Sequence, residues 1–244
     1  MISRALVNAF MLSWWEASTK FSRVSMSVAW ALQEKNLAQQ VESLDPTQHE
    51  AFAVIQEWAR NRLQWRRNCR RKWAEAPNLR MLLLGTAGTG KTHTAKATVM
   101  GARRILGSFD AVKMVAHTGV AAANLGGGAT TIDSLFRTQE AEDLSSDSLD
   151  RLVEQLRHVE LLVIDEISMV GAGQFEMISR RLEQVAKALW QEQRTKRQPL
   201  GALPEDFGGF GGIGVVCMGD FAQLPPLKAT SLLRGSRVEE GMKV

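Results

Sequence analysis

The chain has 244 residues, 45% hydrophobic and 23% charged. That composition can bury a core, in one large domain with a short leader or in two small domains. The net charge of +4 is compatible with a polyanionic partner without requiring one. Cys69 and Cys217 match no metal-binding spacing, and no apolar run reaches the length of a bilayer span, so a reduced intracellular protein without a membrane partner is expected.

Residues 1–43 read as a partly helical leader without assignable chemistry. From Met1 to Trp30, Arg4, Lys20 and Arg23 stand among serines with Glu16 as the only acid. This composition resembles a mitochondrial presequence, but it also suits an ordinary amphipathic helix or a misplaced gene start. A helix should start at Leu44-Asp45-Pro46, where Asp45 can cap free N–H groups and Pro46 suits the first position. Phe52, Ile55, Ala59 and Leu63 then recur at steps of three and four, giving an apolar face to about Ala74, before Pro77. Arg60, Arg62, Arg66, Arg67, Arg70, Arg71 and Lys72, interleaved with Trp58, Trp65 and Trp73, could bind phosphates and stack bases. A solvated face with tryptophans turned to the core is the preferred reading, because charge runs on helices usually face water.

Arg80-Met81-Leu82-Leu83-Leu84 reads as a buried strand, followed by a glycine-rich turn and a helix from Lys91 to about Ile105. Ala111 to Val115 is a second strand, and Thr118–Ala123 and Thr131–Phe136 are short helical pieces. Residues 138–150, with Glu140, Glu142, Asp143, Asp147 and Asp150 among serines, read as a solvated loop. Leu161–Ile164 is another buried strand, Glu176–Gln191 a helix, Pro199–Gly212 a loop, and Ile213–Met218 a last strand ending at Gly219-Asp220. Alternating strands and helices imply an α/β fold with a parallel sheet covered on both faces. The continuously apolar runs Leu82–Leu84 and Leu161–Ile164 suit buried parallel strands.

Gly85-Thr86-Ala87-Gly88-Thr89-Gly90-Lys91-Thr92 matches G-x-x-x-x-G-K-[ST] in full, between a strand and a helix. Such glycines let backbone N–H groups close around phosphates. Lys91 then supplies charge for the β- and γ-phosphates, and Thr92 a hydroxyl for Mg²⁺. Asp165-Glu166 ends a strand, where a parallel sheet faces its ligand crevice. There Asp165 can hold the Mg²⁺ shell, and Glu166 can orient and deprotonate the attacking water. At the next strand end, in Gly219-Asp220-Phe221-Ala222-Gln223-Leu224-Pro225-Pro226, Gln223 can donate to the γ-phosphate.

Together GTAGTGKT, HTGVAAANLGG (117–127) with TIDSLF (131–136), IDEISMV (164–170) and GDFAQLPP resemble motifs I, Ia, II and III of the Pif-type, RecD-like branch of superfamily-one helicases. FGGIGVV fits the same pattern, and LDPTQHEAF (44–52) resembles its adenine-reading Q motif, which puts Gln48 on the base. The resemblance implies a RecA-like P-loop NTPase domain over 44–244. It implies ATP-driven, 5′-to-3′ unwinding of DNA by a Mg²⁺-dependent enzyme acting on single strands and duplex junctions. Roles in DNA repair, recombination and telomere or genome maintenance follow, in the nucleus or the mitochondrion. It assigns Lys91, Glu166 and Gln223 to catalysis, Gln48, Gly85, Gly88, Thr89, Gly90, Lys91, Thr92 and Asp165 to the Mg-nucleotide, and His117, Thr118 and Gly119 to the DNA backbone.

Two departures qualify this. Asp133 stands where the family usually has His, which puts a DNA contact there in doubt. Motifs IV to VI and a second RecA-like domain do not appear before Val244. This chain is therefore expected to hold only the ATP-binding half of a motor and to lack the arginine worth about 10³–10⁵ in rate. The alternatives are a non-motor fragment that binds ATP and DNA, or a transposon-derived helicase module. A clamp-loader-type switch fits GDFAQLPP poorly.

Overall fold

Four apolar segments of the sequence, joined by the two-residue strand Thr130–Thr131 that the sequence does not predict, become five parallel strands. The computed structural model describes residues 36–68, 76–140, 143–196, 207–227 and 229–233. The chain divides into two units, Met1–Asp45 and Pro46–Val244. In the first, residues 36–42 are helical. The presequence-like stretch, the basic residues 70–72, Trp73 and Cys69 lie outside the described residues.

The second unit runs through α1 (Pro46–Asn68), β1 (Arg80–Leu84), α2 (Lys91–Leu106), β2 (Val112–Ala116), α3 (Gly119–Leu125), β3 (Thr130–Thr131) and α4 (Ile132–Phe136). It continues through α5 (Ser146–Leu156), β4 (Leu161–Asp165), α6 (Ala172–Lys196) and β5 (Gly214–Gly219). The sheet order is β1-β5-β4-β2-β3, and every pairing is parallel. The expected α/β P-loop architecture is therefore present. Because β5 inserts between β1 and β4, the P-loop and the acidic pair are one strand apart, and the segments after β1, β2, β4 and β5 all leave the same edge. That edge is where a parallel sheet binds ligands.

Side chains alternate across a strand, so β4 feeds both layers. Leu161 and Val163 join Ile55, Trp58, Val99, Leu106 and Val216 on one face. Leu162 and Ile164 join Phe136, Leu156, Ile178, Leu182 and Cys217 on the other. Among the described residues, no helix is long and apolar enough to cross a membrane.

Several expectations are corrected. β1 is apolar but not buried throughout: Leu82 and Leu84 are more than half exposed, because β1 is the edge of the described sheet and its alternate side chains meet no covering layer. Residues 146–150 are not loop; they open α5. Ser145 caps that helix by accepting from Ser148 N, and Leu152, Val153 and Leu156 bury its apolar face. α6 begins four residues earlier than its apolar period suggested, at Ala172.

The basic stretch of α1 is not uniformly a solvated face. Arg60 and Arg67 are exposed, but Arg62 is only 4% exposed and donates through Nε to Glu160 Oε2 at 2.8 Å. Arg66 Nη1 donates to Glu160 Oε1 at 2.6 Å and Nη2 to Leu106 O at 3.0 Å. These bonds tie α1 to the entry of β4. The Arg62 guanidinium also stacks over Trp65, 4.7 Å from the ring centre, and Trp58 Nε1 donates to Pro77 O. At the start of β1, Arg80 donates to the carbonyls of Ile213, Gly208 and Gly209 and so holds the glycine-rich entry to β5.

Candidate nucleotide and DNA site

The turn after β1 is shaped by glycine. Gly88 and Gly90 have φ of +82° and +78°, in the left-handed region where a Cβ is strained. At Gly90 a Cβ would also stand 2.7 Å from Gln48 Nε2. That amide donates to Thr89 O at 2.9 Å, so the first turn of α1 rests on the P-loop. Lys91 opens α2 and folds back, its Nζ donating to Gly85 O at 2.6 Å and Thr86 O at 2.8 Å. These two bonds hold the ammonium over the loop. Thr89 Oγ1 donates to Thr86 O at 2.8 Å and stiffens the turn, and Thr92, half-buried, follows on the first turn of α2.

Asp165 ends β4 with 7% exposure. Burial pushes its carboxyl above the usual range, partly offset by the Glu166 N–H and the Lys91 charge. Its Oδ1 accepts from Glu166 N at 2.9 Å. Glu166 itself is left-handed, with φ 56° and ψ 43°, a conformation that costs a non-glycine residue about 1–3 kcal/mol. This strain turns the chain sharply out of the sheet. Its carboxyl is also raised, first by burial and then by Asp165, with Asp220 adding and Lys91 and His117 opposing. A carboxylate with raised proton affinity is a better general base than a free one.

Gln223 is tied into its own turn: its Nε2 donates to Asp220 Oδ2 at 3.0 Å, and Asp220 Oδ1 accepts from Ala222 N at 3.0 Å. β5 and the turn after β4 pack closely because residue 219 is glycine. A Cβ there would stand 2.9 Å from Ile167 Cγ2 and 3.1 Å from Ile167 N.

The predicted DNA residues follow β2, whose last residue Ala116 lies in register beside Asp165. Thr118 caps α3, its Oγ1 accepting from Ala121 N at 3.1 Å, Gly119 is exposed at the helix start, and His117 is half-buried, its Nδ1 buried and without a hydrogen-bond partner among the described residues. Asp133 accepts from Gln174 Nε2 at 2.8 Å and from the Thr138 hydroxyl. It therefore ties α4 to α6 from a half-buried position. The structure thus brings the P-loop with Gln48 and Lys91, the Asp165-Glu166 pair, Gln223 and the 117–119 segment to one edge of the sheet, with Lys91 near enough to act on both carboxyls.

A family model described as PIF1-like helicase matches residues 73–240. The chain belongs to the PIF1-like helicase family. It is 33% identical over 155 residues to the ATP-dependent DNA helicase Pif1 of Psychrobacter sp., covering 60% of this chain and 20% of that protein. It is 35% identical over 150 residues to the human ATP-dependent DNA helicase PIF1, covering 59% of this chain and 19% of that one. Among solved structures it is similar to Bacteroides sp. Pif1 in complex with ADP-AlF4, at 25% identity and a TM-score of 0.49, over 82% of this chain and 36% of that one. The chain thus spans about a fifth of the length of these two curated relatives.

Two residues of the site, and one backbone conformation, are not legible in the sequence. Asp220 was quoted within its motif but given no task, and its side chain orients Gln223. Ser168, inside the acidic-pair motif, is buried. The left-handed backbone of Glu166 could not be read at all, because glutamate gives no local signal for positive φ. Ser168 and Asp220 could have been flagged only as polar residues flanking motif positions.

Proposed function

We propose that this chain is the ATP-binding and ATP-hydrolysing part of an ATP-dependent DNA helicase that moves 5′-to-3′ on single-stranded DNA and opens duplex junctions. The observation that carries this reading is the convergence, at one sheet edge, of a glycine-shaped loop, buried Asp165 with half-buried Glu166 beside it, and the Thr118 segment. The residues fit a nucleoside triphosphate with a divalent cation: Lys91 is already held over the loop, and Asp165 and Thr92 offer oxygen ligands of the kind Mg²⁺ takes. When bound, Mg²⁺ would neutralise charge on the phosphates.

In this reading Gln48 rests on the loop and touches the base, the N–H groups of residues 85–90 surround the phosphates, and Lys91 moves from its carbonyl partners to the β- and γ-phosphates. Glu166, poised as a base, takes a proton from the attacking water. Gln223, held by Asp220, reports whether the γ-phosphate is present. His117, Thr118 and Gly119 grip the DNA backbone beside Glu166. A second RecA-like domain would supply the facing arginine and the other wall of the DNA groove. Such a motor works where duplex DNA is repaired and maintained, in the nucleus or the mitochondrion.

The test, made with this chain joined to a second RecA-like domain, is ATP turnover with and without single-stranded DNA, together with strand separation on a duplex bearing a 5′ overhang. Stimulation by single strands, lost in Lys91→Ala, supports the reading. Turnover indifferent to DNA, or unwinding only from a 3′ overhang, refutes it.

A further inference from the structure

Asp220 accepts three hydrogen bonds within the turn that follows β5, and one of them fixes the polarity of Gln223. Its main-chain oxygen accepts from Gln223 N at 3.0 Å, and its side-chain Oδ1 accepts from Ala222 N at 3.0 Å. Oδ2 accepts from Gln223 Nε2, also at 3.0 Å. Each carboxylate oxygen thus has its own donor, and the main-chain bond to Ala222 holds the carboxylate in place. A carboxylate only accepts, whereas an amide carries donors on one side and an acceptor on the other. Gln223 must therefore show Asp220 its NH₂ group and turn its carbonyl away. One N–H is taken by Asp220, and the second N–H is left for another acceptor.

The turn lies where such a donor can be used. Gly85, the first residue of the P-loop, donates its N–H to Gly219 O at 3.3 Å, so the turn begins against the start of that loop. Gln223 is exposed and lines one groove with Glu166 and Thr118. The charge of Asp220 also reaches the Glu166 carboxyl.

We infer that Asp220 is a positioning residue for the γ-phosphate: by taking one N–H of Gln223 it presents the second N–H, rather than the carbonyl, to the phosphate, and so gives the chain its preference for a triphosphate over a diphosphate. The inference rests on the functional reading above, which puts the γ-phosphate beside Gln223. It has a consequence that a merely structural aspartate lacks. In Asp220→Asn the side chain can still accept from Ala222 N, but only through its carbonyl oxygen. Its NH₂ group then takes the place of Oδ2 and faces Gln223. Two NH₂ groups have no acceptor between them, so the Gln223 amide turns over and its carbonyl oxygen replaces the donor. Asp220→Ala instead leaves the amide free to turn either way. Asparagine, the closer match in shape, should therefore be the more harmful substitution.

The test is titration calorimetry of the chain with ADP and with a non-hydrolysable ATP analogue, each with Mg²⁺. The ratio of the two affinities isolates the contribution of the γ-phosphate. Asp220→Asn should lower that ratio about tenfold to a hundredfold, the worth of a hydrogen bond to a charged group. Asp220→Ala should lower it only about twofold, because a freely turning amide is productive half of the time. Gln223→Ala should match Asp220→Asn, and combining the two should add nothing further, since one acts through the other. Both substitutions at 220 remove the same charge beside Glu166, so a difference between them cannot arise from that charge. Thermal melts verify folding. Asp220→Asn keeps the bond to Ala222, so its comparison with Gln223→Ala decides the matter even where alanine unfolds the turn. A folded Asp220→Asn with the parent's ratio overturns the inference. So does asparagine no worse than alanine, or a further loss in the double variant. A parent that binds both nucleotides equally overturns it as well, because the γ-phosphate is then not read. A parent that binds neither nucleotide overturns the functional reading itself, and its failure with ADP marks that case.

Discussion

Glu160→Ala should destabilise the domain by about 3–5 kcal/mol, the range for removing one partner of a buried ion pair. The structure shows where that loss arises. Glu160 accepts from Arg62 at 2.8 Å and from Arg66 at 2.6 Å, with side-chain exposures of 4% for Arg62, 29% for Arg66 and 12% for Glu160. Arg66 has a second acceptor in Leu106 O and is exposed enough to reach water. Arg62 has neither advantage: its Nη1 is already buried without a hydrogen-bond partner among the described residues, so without Glu160 its charge is buried and uncompensated. For a domain of this size each kcal/mol moves Tm by about 2–4 °C, so the drop should be about 6–20 °C. Arg66→Ala should lose only about 1 kcal/mol, as a half-exposed pair does. The double variant Arg62→Leu with Glu160→Leu should recover most of the loss, because well-packed apolar replacements of buried ion pairs are often neutral. Thermal melts at low and high salt, analysed as a double-mutant cycle, measure this. A Glu160→Ala loss below about 1 kcal/mol, or one abolished by salt, would refute the reasoning and return α1 to the solvated face its charges suggest.

Lys91→Ala should weaken binding of an ATP analogue about tenfold to a hundredfold, the worth of charge-assisted hydrogen bonds; titration calorimetry checks it, and unchanged affinity rules the residue out of phosphate binding. Glu166→Gln should retain analogue binding and lose turnover by about 10²-fold or more; a steady-state ATPase assay at the parent rate excludes it as the base. Gly219→Ala should destabilise the protein by about 1–3 kcal/mol, because the added methyl overpacks against Ile167; denaturant titration reads it, and a neutral result means that the two turns can part freely. Burial pushes the Cys217 thiol up to about 12, so Cys217 should resist iodoacetamide at pH 8 until the protein unfolds. Its thiolate forms first in the unfolded chain, so stability present below about pH 9 should be lost as pH climbs towards that value; peptide mass spectrometry and high-pH melts test both.

Much of the site was legible in the residues because phosphate chemistry needs a particular local backbone. A loop that surrounds phosphates requires glycine at left-handed positions, and Gly88 and Gly90 announce it from the sequence. The runs Leu161–Ile164 and Ile213–Met218 likewise announce buried strands, because a parallel strand covered on both faces has no polar side. Long-range pairing left no such local mark. That β5 lies between β1 and β4, that Leu82 and Leu84 reach an uncovered edge, and that α5 buries Leu152 and Leu156 behind an acidic, serine-rich start depend on neighbours distant in the chain. The basic run of α1 shows the limit most directly. A charge in sequence looks the same whether it meets water or a carboxylate, and Glu160, 98 residues beyond Arg62, decides which. The same holds at the chemistry: the sequence supplied Glu166 and Gln223, but only the folded backbone puts the one in a left-handed conformation and closes the turn that ties the other to Asp220.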